Sequence, residues 1–94
     1  MDQWYLYILI CKGDKLYTDI AKDVEARFEL HKTGKGAKYT RANKPIKIVY
    51  TEEFKTRSRA LKREAEIKKM NREEKDVLVS IKKINKKSAK RFWE

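Results

Sequence analysis

An unbroken apolar run near the start of the chain sets the strongest limit on its fold. Residues 3–11 read Gln-Trp-Tyr-Leu-Tyr-Ile-Leu-Ile-Cys, and such a run of aromatic and aliphatic side chains favours a strand buried on both faces. Gly13 and Asp14 follow as a turn signal, and strand chemistry resumes over residues 16–18. The sequence therefore predicts a β-hairpin whose first strand is covered on both sides.

Helical and strand patterns alternate after the hairpin. Asp23 is a candidate N-cap, and apolar residues recur at helical spacing through residues 23–32, which predicts a first helix. The glycines of residues 34–36 end this helix, and the polar, basic stretch up to Pro45 is predicted as a loop. Residues 46–54 then predict a third strand.

Two further helices follow the third strand. Thr56 or Ser58 can cap the first of them, and Asn71 with Glu74 three residues later is a capping-box pattern that opens the other. This order of elements predicts an α+β fold, in which three helices flank a small three-stranded, mostly antiparallel sheet.

The length of 94 residues predicts one domain, which we place at residues 1–84. Residues 85–94 form a basic tail that we expect to be flexible. No apolar run approaches the ~20 residues of a membrane span, the chain has no signal-like start, and a single cysteine excludes an internal disulfide. We therefore expect a soluble, cytoplasmic domain.

The charge balance points to a polyanionic partner. The chain has 25 Lys and Arg against 14 Asp and Glu, a formal net charge of +11, and most of this excess falls in residues 55–94. Basic surfaces of this kind are typical of proteins that bind a phosphate backbone. The alternatives are merely solvated lysine-rich helices or a basic surface that binds an acidic partner protein. A membrane surface is less favoured, because the basic stretch lacks an apolar face rich in Trp and Phe.

Three residues occupy positions where their chemistry is unexpected. Glu64 falls on the apolar stripe of the second predicted helix, where a carboxylate is costly unless it is paired or binds a metal. It is either a ligand for Mg²⁺ or half of a salt bridge at the rim. Arg27 and His31 are four residues apart on the first helix, so both are expected near the sheet edge. They suit a scissile phosphate and a proton transfer, or else a snorkelling arginine beside a half-buried histidine.

Taken together, these fragments resemble the GIY-YIG nuclease domain, and in particular its small single-domain YhbQ-like (UPF0213) branch, which is related to the nuclease subunit of the Slx1 endonuclease. The resemblance covers about residues 3–80. It rests on ordered motifs, namely Tyr5-Leu6-Tyr7-Ile8-Leu9, Leu16-Tyr17-Thr18, Asp23-Val24-Glu25-Ala26-Arg27-Phe28 with His31, Gly34-Lys35-Gly36-Ala37-Lys38-Tyr39-Thr40-Arg41, and Ala60-Leu61-Lys62-Arg63-Glu64 through Ile67-Lys68.

The resemblance implies hydrolysis of phosphodiester bonds in DNA with one divalent metal ion, Mg²⁺ or Mn²⁺, and structured or damaged DNA is a candidate substrate. Tyr7 and Tyr17 fall on the tyrosines of the two half-motifs, Arg27 on the helix arginine, and Glu64 on the glutamate that holds the metal. His31 joins them as a supporting catalytic residue. Tyr7 is expected to accept a proton from the attacking water, although a phenol of pKa ~10 is a poor base unless cations lower its pKa.

Nucleic-acid contacts are expected from the basic loop and from the second predicted helix. These residues are Lys35, Lys38, Tyr39, Arg41, Lys62, Arg63 and Lys68. A separate targeting module, if there is one, is expected on a partner protein.

The second half-motif departs from the family at one position. It should read Tyr-x-Gly, but it reads Tyr17-Thr18-Asp19. Glycine there would serve a positive φ or a close approach of the backbone to the substrate. The Asp19 carboxylate could repel DNA or add a second metal ligand. The alternative function is therefore a catalytically impaired nucleic-acid-binding module.

Overall fold

The computed structural model describes residues 3–81 and contains one three-stranded sheet. Strand β1 (Trp4–Cys11) lies at the centre and pairs antiparallel with β2 (Lys15–Ala21) on one side and β3 (Pro45–Phe54) on the other. Gly13 and Asp14 have positive φ in the turn between β1 and β2, which is the conformation that this turn signal favours. The predicted hairpin and third strand are both present.

Four helices accompany the sheet in the described part of the chain. They are α1 (Val24–Lys32), α2 (Lys38–Ala42), α3 (Arg57–Lys69) and α4, which runs from residue 72 to residue 81, the last one described. The α+β class and the antiparallel sheet are as predicted.

The predicted caps are made by side chains. The Asp23 carboxylate accepts from the Ala26 amide at 3.0 Å and starts α1, and Thr56 rather than Ser58 starts α3. Asn71 and Glu74 form a reciprocal capping box at α4, with both bonds at 2.9 Å.

Burial of β1 on both faces divides the core into two layers. Leu6 and Ile8 face α3 and α4, whereas Tyr7, Leu9 and Cys11 face α1. Because all five side chains are fully buried, β1 fixes the positions of the helices on both sides of the sheet.

The basic loop before β3 differs from the expectation. Residues 38–42 form the short helix α2, whose N-cap is Ala37 and has no side-chain hydrogen bond. An uncapped five-residue helix leaves no periodic pattern in the sequence, so this element was missed. No helix within residues 3–81 is long and apolar enough to cross a membrane. The predicted tail at residues 85–94 lies outside the described residues.

Candidate active site

The β1–β2 hairpin places Tyr7, Tyr17 and Asp19 on one face of the sheet. Tyr7 on β1 lies directly opposite Asp19 on β2, and Tyr17 lies opposite Leu9, two residues further along the same face. This is the face covered by α1. Asp14 is the one non-glycine residue with positive φ among those described, so position 19 does not need glycine for its backbone conformation. A positive φ is therefore not a reason for glycine at position 19 in this chain.

A buried hydrogen-bonded chain joins β1 to α1 and α2. The Tyr7 hydroxyl oxygen lies 2.9 Å from His31 Nε2, and His31 Nδ1 lies 2.7 Å from Thr40 Oγ1. The exposed fraction is 0% for Tyr7, 1% for His31 and 2% for Thr40. His31 was expected near the sheet edge. It lies instead inside the protein with both ring nitrogens engaged, and Thr40 is a site residue that sequence reasoning missed.

Gly36 is needed for the imidazole to occupy this position. A Cβ atom at residue 36 would lie 2.2 Å from His31 Nδ1 and 2.8 Å from two ring carbons, distances that no relaxed structure contains. The backbone of the segment between α1 and α2 therefore packs directly against the ring. The sequence predicts this glycine as a helix terminator, whereas its packing against His31 can be recognised only in the folded structure.

Tyr17 forms the more accessible wall of the site. It is half-buried, its hydroxyl donates to Asp19 Oδ2 at 2.8 Å, and Asp19 Oδ1 accepts from the Ile20 amide at 2.8 Å. The Tyr17 ring contacts the His31 ring edge-to-face, with centroids 5.2 Å apart, and stacks on the exposed Tyr39 ring at 5.7 Å. The predicted residues Tyr17, His31 and Tyr39 thus form one aromatic layer.

The phenols of the site are held in their neutral form. Burial raises the pKa of Tyr7 and of Tyr17, and Asp19 raises both further, through its hydrogen bond in the case of Tyr17. Arg27 acts in the opposite direction on both groups but is outweighed. The condition for a phenol to act as a base is therefore not met, because the lowering by Arg27 is smaller than the rise caused by burial and Asp19. Burial also lowers the pKa of His31, so its imidazole is neutral at pH 7.

Arg27 and Glu64 belong to the same constellation. Both exert Coulombic effects on the pKa of Tyr7 and Tyr17, although Glu64 lies on α3 and Arg27 lies on α1. The fold thus places Tyr7, Tyr17 and His31 in one contacting cluster. Arg27 and Glu64 lie within electrostatic range of its two phenols.

The Glu64 carboxylate suits a hard cation whose remaining ligands are water and phosphate oxygens of the substrate. Its side chain is only 14% exposed, and Lys68 binds it at 3.2 Å, so the salt bridge considered as the alternative is also present. No group of three His, Cys, Asp or Glu side chains that could hold a metal exists within residues 3–81. A single carboxylate fits Mg²⁺ or Mn²⁺, because Mg²⁺ commonly keeps several waters and takes one or two carboxylates together with phosphate oxygens.

A basic surface surrounds α2. Lys35, Lys38 and Arg41 are exposed there beside Tyr39. The β1–β2 turn joins this surface, because the Lys12 amide donates to the Lys44 carbonyl at 2.7 Å and Lys15 Nζ donates to Asn43 Oδ1 at 3.0 Å. Three lysines that are not among the predicted contacts therefore add to this surface, namely Lys12, Lys15 and Lys44. Lys12 and Lys15 could not be assigned to it from the sequence, because the β1–β2 turn is distant from α2 along the chain.

The basic residues of α3 are placed differently. Lys62 is exposed, and Lys68 pairs with Glu64. Arg63 is largely buried, with Nε 3.1 Å from Glu52 and Nη1 2.9 Å from Glu66. Its charge is matched by two carboxylates, and the pair with Glu52 ties α3 to β3. Its contact with nucleic acid stays a prediction.

Comparison with known proteins gives a consistent result. Residues 3–76 match the sequence profile of the GIY-YIG catalytic domain. A UPF0213 protein from Staphylococcus saprophyticus is 51% identical over 80 residues, which cover 85% of this chain and 98% of that protein. A UPF0213 protein from Cupriavidus necator is 54% identical over 68 residues, 72% of this chain and 74% of that one.

Two solution NMR structures share the fold. A UPF0213 protein from Bacillus halodurans superposes with a TM-score of 0.57 at 42% identity, over 85% of each chain. A protein from E. faecalis superposes with a TM-score of 0.61 at 34% identity, over 89% of this chain and 90% of that one.

Proposed function

The chain belongs to the family of GIY-YIG catalytic domains, and we propose that it is a divalent-metal-dependent endonuclease that hydrolyses phosphodiester bonds in DNA. One observation carries the proposal: Tyr7 is hydrogen-bonded to a neutral His31, whose ring also contacts Tyr17. Arg27 and Glu64 support it, because both act electrostatically on the two phenols. Structured or damaged DNA is the substrate class we propose.

The Tyr7–His31 pair supplies a route for the proton of the attacking water. A phenolate is disfavoured here, because burial and Asp19 raise the pKa of Tyr7. A neutral imidazole 2.9 Å from the hydroxyl removes the difficulty. The Tyr7 oxygen takes the proton of the water while its own proton passes to His31 Nε2, and no phenolate accumulates. Because Tyr7 has no exposed surface, the side chains that cover it must move aside before the attacking water can reach its hydroxyl.

Arg27 acts on the phosphate, and Tyr17 acts on the attacking water. The guanidinium of Arg27 neutralises charge that develops on the non-bridging oxygens. Tyr17 stays protonated and donates its one hydroxyl hydrogen to Asp19. Its oxygen is left to accept a hydrogen bond from the attacking water and so orients the water from the more accessible side of the site. Glu64 would hold the metal ion. When bound, the ion supplies Lewis-acid stabilisation of the scissile phosphate and of the leaving 3′ oxygen.

The basic surface around α2 gives the DNA its path to the site. Tyr39 lies at the boundary, because its ring stacks on Tyr17 and it is itself exposed among basic residues. Phosphate contacts of this kind contribute affinity and positioning without sequence information. We therefore expect cleavage to depend on DNA structure more than on base sequence.

A plasmid-nicking assay with Mg²⁺ or Mn²⁺ tests the proposal. Glu64→Gln removes the charge of the metal ligand and should abolish nicking, with binding to DNA measured in parallel. Glu66→Gln is the matched control on the same helix, because Glu66 is mostly exposed and pairs with Arg63. Nicking by the wild type and the Glu66 variant alone supports the proposal. Equal nicking by the Glu64 variant would overturn it.

A second candidate function is a binding module without catalysis, and Asp19 is the observation that favours it. Its carboxylate lies 2.8 Å from the Tyr17 hydroxyl, so it adds negative charge where a phosphodiester would approach. This alternative predicts that the wild type binds DNA without cutting it and that Asp19→Gly restores nicking. The endonuclease proposal predicts nicking by both proteins.

A further inference from the structure

The hydrogen bonds around His31 define which ring nitrogen carries the proton. In one arrangement, Thr40 donates its hydroxyl hydrogen to the Ala37 carbonyl at 2.9 Å and accepts from His31 Nδ1–H at 2.7 Å. His31 Nε2 is then unprotonated and accepts from the Tyr7 hydroxyl. Every group from the Tyr7 hydroxyl to the Ala37 carbonyl then has a partner of the correct kind. The cost of this arrangement is the Ala37 amide, whose N–H lies 3.4 Å from the protonated Nδ1 and has no acceptor there.

The opposite arrangement leaves a buried hydrogen without an acceptor. If His31 carried its proton on Nε2, it would donate to the Tyr7 oxygen, and the phenol hydrogen would need another partner. His31 is the one hydrogen-bond partner of the Tyr7 hydroxyl within the described residues, and Tyr7 is fully buried. In exchange, His31 Nδ1 would gain only a long 3.4 Å contact from the Ala37 amide, besides the Thr40 hydroxyl. An unsatisfied buried donor makes this arrangement the less stable one.

From this geometry we propose that Thr40 is a positioning residue that fixes His31 as the Nδ1–H tautomer and thereby makes Nε2 the acceptor of the Tyr7 proton. The catalytic consequence rests on the proposed function, whereas the tautomer does not. When the proton moves from Tyr7 to Nε2, the imidazolium donates from Nδ1 to Thr40 and from Nε2 to the Tyr7 oxygen. Both N–H groups of the imidazolium therefore have acceptors, so the transfer leaves neither ring nitrogen unpaired.

The short helix α2 then has two functions. Its buried residue Thr40 holds the imidazole, while the neighbouring residues Tyr39 and Arg41 face solvent. Thr40 acts only through His31, because its hydroxyl is occupied by His31 and Ala37.

Nitrogen-15 NMR of the imidazole tests the tautomer directly, because the chain contains one histidine. The wild type should show a protonated Nδ1 and an unprotonated Nε2 at pH 7. Thr40→Val keeps the shape of the side chain but removes the oxygen, and it should shift the ring toward the Nε2–H form. Thr40→Ser keeps the hydroxyl and should preserve the wild-type signature. Thr33→Val is the control, since Thr33 binds the Leu30 carbonyl at the end of α1.

Two results would overturn the inference. The first is a wild-type imidazole in the Nε2–H form, which needs no variant and so does not depend on the folding of Thr40→Val. The second is a folded Thr40→Val protein whose imidazole keeps the wild-type signature.

Nicking kinetics then test the catalytic consequence. Thr40→Val should lower kcat at least about tenfold with DNA affinity unchanged, and Thr40→Ser should restore it. Unchanged kcat in Thr40→Val, together with a shifted tautomer, would overturn the catalytic part. Absence of nicking in every protein would count against the proposed function, while the NMR result would stand or fall separately.

Discussion

The hydroxyl of Tyr7 lies 2.9 Å from Nε2 of His31, and neither residue is exposed to solvent beyond 1%. The contact joins the central strand to the last turn of α1, so the imidazole is fixed by the core of the protein. Burial raises the pKa of the phenol and lowers that of the imidazole, which keeps both groups neutral. A neutral acceptor beside a neutral donor is the arrangement that a proton relay requires.

Gly36→Ala should displace the His31 ring, because the new Cβ would lie 2.2 Å from Nδ1. We expect a loss of about 1–3 kcal/mol in the free energy of unfolding, the usual cost of overpacking. Urea denaturation measures the loss, and the NMR signals of His31 should move. Gly34→Ala is the control: its φ of +80° makes alanine unfavourable, but the nearest contact of the added Cβ is Arg41 at 4.0 Å. This control should lose stability without moving the His31 signals, and an unperturbed imidazole in the Gly36 variant would contradict the account.

The single histidine should titrate below its usual pKa of about 6.5 in the folded protein, because burial disfavours the imidazolium. As the pH is lowered, the imidazole is protonated in the unfolded chain before it is protonated in the folded one. The contribution of His31 to the free energy of unfolding is therefore fully present above pH 6.5. It is lost as the pH falls from there through the pKa of the folded state. Proton NMR gives the folded value, and the same signal in urea gives the reference. Asp19→Asn should lower the folded value further, since the Asp19 carboxylate raises it. A folded value above the urea value would refute this prediction.

Substitution of Arg63 should lower stability without affecting DNA binding, and substitution of Lys38 should do the opposite. Arg63→Ala removes two ion pairs and should cost about 1 kcal/mol of unfolding free energy, while the salt dependence of DNA binding stays the same. Lys38→Ala should leave stability unchanged and reduce the slope of log K against log salt by about 0.9 if Lys38 contacts one phosphate. Fluorescence anisotropy with a labelled duplex measures the slopes. A reduced slope in the Arg63 variant would return that residue to the DNA-binding surface.

Local sequence signals predicted much of the fold. The Asp23 and Thr56 caps and the capping box at Asn71 use hydrogen bonds between residues three apart, so a short window of sequence contains all the information. The burial of β1 on both faces likewise follows from its composition.

Contacts between distant segments could not be predicted in the same way. The neutral state of Tyr7 depends on packing between β1 and α1, and the bond from His31 to Thr40 depends on a helix that has no cap signal. The ion pair between Arg63 and Glu52 likewise joins two different elements, so the sequence did not indicate it. The resemblance gave the candidate residues Tyr7, Tyr17, Arg27, His31 and Glu64. Thr40, the protonation states and the pairings had to come from the folded arrangement.

Single-turnover nicking by the wild type, Tyr7→Phe, His31→Gln and the double variant tests the central claim most directly. If Tyr7 and His31 move one proton together, each single variant should lose about 100-fold or more in rate, and the double variant should lose no more than either. Circular dichroism and DNA affinity establish that each variant is folded and binds. Losses that multiply in the double variant, or a Tyr7→Phe protein that nicks at the wild-type rate, would contradict the relay.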